Sequence, residues 1–154
     1  MKVMKSLMIL SIGLIGLLSS CKSEKHNVFQ DVSSHQTKGD MVQQYLDDNT
    51  FINLDVKALA RDLASSASTQ DVDAQKVALM KVALYRFYSH VDLEDGVYKC
   101  NLSRADEINV SDEVFHALLD NLQEMNLAIA NARKEGKDIN LSKIDQEYLN
   151  RLLK

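Results

Sequence analysis

From residue 40 to the C terminus, apolar residues recur three and four positions apart. That spacing lines up one face of an α-helix. The chain contains no proline, so no helix loses a backbone donor in its interior. Together these features confine the chain to a largely helical fold. Asp40 is placed to cap a short helix with Met41, Val42, Tyr45 and Leu46 inward. Asn53 is placed to cap a second, Leu54 to Ser65, with Val56, Leu59, Ala60 and Leu63 on one face. The stretch Ser65 to Thr69 breaks the pattern. Asp71 to about His90 reads as the most buried helix, because Val72, Val77, Ala78, Leu79, Met80, Val82, Ala83, Leu84, Phe87 and Tyr88 widen its apolar face.

Ser111 caps the longest predicted helix, whose stripe is Val114, Leu118, Leu122, Met125 and Ile129, reinforced by Phe115 and Leu119. Asp112 and Glu113 at its start and Arg133 and Lys134 near its end complement the helix dipole. Gly136 suits the position just past the end. Ser142 to Asp145 resembles a short capping box opening a last helix with Ile144, Tyr148, Leu149 and Leu152 inward. The expected fold class is all-α: a small antiparallel bundle of about four to five helices spanning 40–154. The stretch Val91 to Val110 is long for a link in such a bundle. Glu94-Asp95-Gly96 is a turn, and Val97 to Leu102 alternates in polarity. Two readings stand for 97–110: a short strand pairing with Ile108 to Val110, or a helical turn over Arg104 to Ile108 capped by Ser103. The turn is preferred.

The N-terminal end is different in kind. Lys2 and Lys5 precede an uncharged apolar run, Leu7 to Leu17. At about 10 residues the run is half of the ~20 that a spanning helix needs. Gly13 and Gly16 weaken it further as a helix. This is the layout of a secretory leader. It ends in Leu18-Ser19-Ser20-Cys21: an aliphatic residue, two small residues, then cysteine. The stretch resembles the lipobox of bacterial lipoproteins. That resemblance implies a diacylglycerol thioether on Cys21, cleavage by the type II signal peptidase with Leu18, Ser19 and Ser20 as its recognition residues, and often acylation of the new amino terminus. Two acyl chains suffice for durable attachment. Lys22 follows the cysteine where inner-membrane retention would call for aspartate. The charged start Lys22-Ser23-Glu24-Lys25 is similar to that of surface-exported lipoproteins of Bacteroidota, without their acidic run. The implied address is the bacterial cell envelope, at the periplasmic or the surface face of the outer membrane. The implied division is a signal peptide at 1–20, a lipidated cysteine and flexible tether at 21–39, and a helical domain at 40–154. A tether of this composition reaches roughly 25 Å as a random coil.

Charge and cysteine content remove several function classes. The chain carries 18 basic and 22 acidic residues, net −4. Without Lys2 and Lys5 the balance is 16 against 22, net −6. Such a protein is poorly suited to nucleic acid. With Cys21 lipidated, Cys100 has no intrachain partner, so a disulfide framework is excluded. A small buried hydrophobe is the expected role of Cys100, ahead of an intermolecular disulfide or a catalytic thiol.

Four groups of residues have spacings that suggest sites. His90, Asp92, Glu94 and Asp95 cluster at the end of the most buried helix and form the best candidate for acid–base or cation chemistry. The alternative is a solvated loop. His116 and Asp120 lie one helical turn apart, but two ligands without an HExxH pattern do not make a metal site, and an exposed ion pair is the expected use. His26 and His35 fall in the tether, where ordering two mobile ligands costs entropy. Residues 105–114 have the spacing of a helix-turn-helix, yet the second helix would open on Asp112 and Glu113, which repel phosphates. No catalytic motif, cofactor or metal is implied.

The closest resemblance is to small helical Bacteroidota lipoproteins of unknown function. The expectation is a membrane-anchored lipoprotein whose domain binds a protein partner in the envelope. Rival readings are a carrier of lipid or another apolar ligand lined by Met80, Phe87, Phe115 and Met125, an immunity-type inhibitor, and a small hydrolase-like enzyme using His90.

Overall fold

The computed structural model describes residues 29, 31, 32, 39–65 and 73–154. Its elements are α1 (Gly39–Asp47), α2 (Val56–Ser65), α3 (Ala74–Tyr88), β1 (Val91–Glu94), β2 (Val97–Cys100), a 3-10 turn (Ala105–Ile108), α4 (Asp112–Lys134) and α5 (Gln146–Leu152). The described chain is mostly helical with one two-stranded sheet. The leader, Leu18 to Cys21, His26, His35 and the expected start of the third helix at Asp71 lie outside the described residues.

Helix α3 sits at the centre. Val77, Ala78, Met80, Val82, Ala83, Leu84, Phe87 and Tyr88 are all buried. Helices α1 and α5 pack against α3, α2 packs against α4, and β2 rests on α4. Phe87 meets Tyr88 and Phe115 edge-on, with ring centroids 5.4 and 6.2 Å apart. Full burial of side chains of this size stabilises by ~1.5–3 kcal/mol each. The same cluster includes Phe29 and Val32, 6% and 0% exposed, both helical. The core therefore begins ahead of residue 40, and the segment read as a tether over 21–39 supplies two of its residues. Val28, Phe29 and Val32 are the only apolar anchors in this polar stretch and cover a single helical turn, too little to stand out from a tether.

Caps set the helix ends, and several differ from expectation. Ser111 caps α4 as predicted, its hydroxyl accepting from Val114 N–H at 3.3 Å. For α2 the cap is Asp55, accepting from Ala58 N–H at 2.7 Å, in place of Asn53. For α3 it is Asp73, accepting from Gln75 N–H, and the helix closes at Tyr88, two residues before His90. For α5 it is Asp145, not Ser142. In each correction the winning residue is an aspartate nearer the first turn, whose charge is favoured at the positive helix end. Two helices end in left-handed residues. Gly136 (φ 72°) follows α4, with Gly136 N–H on Arg133 C=O and Lys137 N–H on Ala132 C=O. Asn49 (φ 45°) plays the same part after α1, with its N–H on Leu46 C=O and Thr50 N–H on Tyr45 C=O.

The main departure from an all-α fold is residues 91–100. Asp95 and Gly96 both have positive φ, 51° and 76°. That is the type I′ geometry which joins two strands most tightly. Val97–Cys100 does form a strand, but it pairs antiparallel with Val91–Glu94, in register Val91 with Cys100 through Glu94 with Val97. Residues 108–110 are used otherwise. The 3-10 turn occupies Ala105–Ile108, Asn109 ends it with φ 56°, and Val110 forms a parallel bridge with Ile52. The carboxylate of Glu107, not the Ser103 hydroxyl, closes that turn by accepting from Ser103 and Arg104 N–H at 2.8 and 2.7 Å.

Candidate functional site

The polar cluster expected at His90, Asp92, Glu94 and Asp95 is brought together by the hairpin, but strand alternation spreads it along an exposed face. Val91 and Tyr98 point inward and are buried, whereas Asp92, Glu94 and Lys99 are exposed. Each carboxylate has a cross-strand partner. Asp92 accepts from the Asn101 side-chain amide at 2.7 Å. Glu94 accepts from Lys99 Nζ at 2.8 Å, which raises the lysine pKa. Asp95 is spent on the turn, and His90 lies between α3 and β1, its C=O accepting Asn101 N–H at 2.9 Å. Among the described residues no three His, Cys, Asp or Glu side chains converge to hold a metal ion.

Cys100 is half-buried and carries a free thiol. Burial pushes its pKa up, and the nearby Glu107 carboxylate pushes the same way against a hydrogen bond from Leu102 N–H. A thiolate nucleophile needs the opposite environment. His116 does not face Asp120 as an ion partner: its Nδ1 lies 2.7 Å from the Asp112 carbonyl. Met80, Phe87, Phe115 and Met125 all belong to the packed core.

Three polar features escaped the sequence reading. Lys81 on α3 is 0% exposed, and burial lowers its pKa. Its signal was present: it lies four residues after Val77 and three before Leu84, in the middle of the core stripe. Asn126 on α4 acts as a strand surrogate. Its Oδ1 accepts from Tyr98 N–H at 2.9 Å, and its Nδ2 donates to Tyr98 C=O at 2.8 Å. The third is a trio of buried tyrosines. Tyr88 accepts from Asn121 Nδ2 at 2.9 Å, and Tyr98 O–H donates to Ser142 C=O at 2.7 Å. Tyr148 packs edge-on against Tyr88 at 5.9 Å, but its buried hydroxyl has no hydrogen-bond partner among the described residues.

This contrast fixes the sign of two otherwise identical substitutions. Tyr98→Phe strands the Ser142 carbonyl and costs about 1 kcal/mol, whereas Tyr148→Phe removes an unpaired buried hydroxyl and is neutral or stabilising by up to about 1 kcal/mol. Urea midpoints of the two variants should therefore move apart. Equal losses in both would show that the Tyr148 hydroxyl is as well satisfied as that of Tyr98.

No helix among the described residues is long and apolar enough to cross a membrane. No family model, curated protein or solved structure matches the chain.

Proposed function

We propose that this chain is a bacterial lipoprotein, anchored to the outer membrane through acyl chains on Cys21, whose helical domain is a protein-binding or accessory module of the envelope. The observation that carries the reading is Leu18-Ser19-Ser20-Cys21 placed directly behind the apolar run Leu7 to Leu17. The helices of 40–154 supply a small antiparallel bundle, with a hairpin facing outward at one side. The raised pKa of the half-buried Cys100 thiol fits recognition better than nucleophilic turnover.

Anchoring is tested by replacing the cysteine. The natural chain partitions into the detergent phase of a cloud-point extraction, and its mature amino terminus begins at a diacylglyceryl Cys21 by intact mass. Cys21→Ala partitions into the aqueous phase once cleaved or stays as full-length precursor. A natural chain whose mature terminus lies elsewhere refutes the anchor. Crosslinking in the native envelope tests the second half: a defined adduct supports the accessory role, and its absence removes it.

A further inference from the structure

Tyr98 stands opposite Leu93 in the hairpin. Both backbone groups of Tyr98 turn away from β1, to the side chain of Asn126. In an antiparallel ladder, a residue pair that does not exchange hydrogen bonds turns its groups to the two outer edges. The N–H and C=O of Leu93 therefore point outward from β1. The sheet has two strands, and among the described residues no backbone group pairs with Leu93 on that side. One edge of the hairpin is thus closed by an asparagine that imitates a neighbouring strand, and the other is open among the described residues.

Open edges are ordinarily blunted by shortness, charged side chains, a proline, a bulge or an inward charge. Strand β1, Val-Asp-Leu-Glu, is short and charged, but it has no lysine, proline or inward charge. Its charges are Asp92 and Glu94, both acidic and both on the exposed face. We infer that the outer edge of β1 docks an extended basic segment of a protein partner, which adds as a third antiparallel strand across Leu93.

The chemistry of that segment follows from the pleat. The residue set against Leu93 shares its half-buried face and is apolar. Its two neighbours point to solvent beside Asp92 and Glu94 and are lysine or arginine. The existing partners leave room for them. Glu94 and Lys99 are each about half exposed, so their pairing is screened by solvent, and Asp92 is held by a neutral amide. A second copy of this chain fits worse. Pairing β1 with itself about a two-fold axis at Leu93 would set Asp92 of one copy against Glu94 of the other, and like charges directly opposite are unfavourable.

This inference rests on the protein-binding half of the proposed function and supplies the class of partner. The test uses full-length, 15N-labelled protein in detergent micelles and a short capped peptide of alternating lysine and valine. Binding shifts the amide signals of Val91 to Glu94 first and slows hydrogen exchange at Leu93. Methylating the backbone nitrogen of the central valine, or replacing its lysines by glutamate, weakens binding by about tenfold or more, since one removes the ladder and the other the charge match. The double variant Asp92→Lys with Glu94→Lys reverses the preference toward the glutamate peptide. The inference is overturned if the Leu93 amide is already protected in the free protein, if lysine and glutamate peptides bind alike, or if neither binds. A partner crosslinked equally well by the double variant would remove this edge and leave the accessory role standing.

Discussion

Replacing Arg86 by methionine should lower the unfolding free energy by about 3 kcal/mol and the melting temperature by about 10 °C. The residue lies in the last turn of α3, half-buried. Its guanidinium reaches three carbonyls from two separate segments. One terminal nitrogen donates to Thr50 C=O at 2.8 Å and to Ile108 C=O at 3.4 Å. The other donates to Tyr45 C=O at 3.0 Å. Tyr45 and Thr50 bracket the left-handed turn at Asn49 that ends α1, so the cation also meets the negative end of that helix. Ile108 closes the 3-10 turn, whose Asn109 donates back to the Asn49 carbonyl. Beside this knot Ile52 N–H bonds Asn109 C=O at 3.0 Å and Ser111 N–H bonds Ile52 C=O at 2.8 Å. One side chain thus holds the exit of α1 and the entry to α4 against α3. Methionine keeps the apolar stem and loses all three donations. Lysine keeps the charge but cannot span two carbonyls with a planar fork, so Arg86→Lys should recover less than half of the loss. Urea unfolding monitored by circular dichroism measures both. A lysine variant as stable as the natural protein would show that charge alone matters and that the fork does not.

Arg86 also shows what sequence periodicity could and could not reveal. The helical stripes of α3, α4 and α5 were legible because burial repeats every three to four residues over several turns. Val114, Leu118, Leu122, Met125 and Ile129 are all buried. Caps were harder, because Asn53, Asp55, Asp71, Asp73, Ser142 and Asp145 all qualify locally and only the packed backbone decides among them. The hairpin was half legible. Asp95-Gly96 announced the turn, but the partner of Val97–Cys100 depended on reading Val91–Glu94 as extended, and the helical pattern running up to His90 argued against that. Arg86 itself gives no local signal, since its partners lie 22 to 41 residues away in sequence.

The candidate site followed the same rule. Sequence proximity grouped His90, Asp92, Glu94 and Asp95, but strand alternation aims Asp92 and Glu94 outward, where Asn101 and Lys99 reach their carboxylates. What the period hid is a polar residue inside an apolar stripe. Lys81 reads as a solvated interruption until the stripe is traced through Val77 and Leu84. A lysine can sit there because its four-carbon stem covers apolar surface as a methionine would. Asn126 is invisible for another reason: its value lies in matching both backbone groups of Tyr98, a geometry that exists only after the hairpin lies on α4.

Alkaline unfolding should be steep, because three of the five tyrosines resist ionisation in the folded chain. Burial pushes the Tyr88 and Tyr98 phenols up to about 12. Tyr148 is pushed higher still, by burial and by the two neighbouring phenols. An unfolded phenol ionises near ~10. Below that pH both states keep their protons and the tyrosines add no pH dependence. Between about 10 and 12 the unfolded chain releases protons that the folded chain retains, so stability falls as pH rises. At pH 11 the loss is on the order of 1 kcal/mol for each phenol and a few kcal/mol for the three, a large share of a typical domain's stability. The half-buried Cys100 thiol, also raised, adds a smaller loss that begins at lower pH. Lys81 works in the opposite sense: its lowered pKa makes the buried ammonium costly below the usual lysine range. That cost fades as pH rises toward ~10.5 and brings no further gain beyond it. The net curve therefore turns downward above about 10.5. Absorbance at 295 nm reads the cause directly. At pH 11 the folded protein should show markedly fewer phenolates than the same protein in concentrated urea, and the urea midpoint should drop between pH 9 and pH 11. Equal phenolate absorbance in the two states would mean that the three hydroxyls are not buried together, and the central packing of α3, α5 and β2 would have to be redrawn.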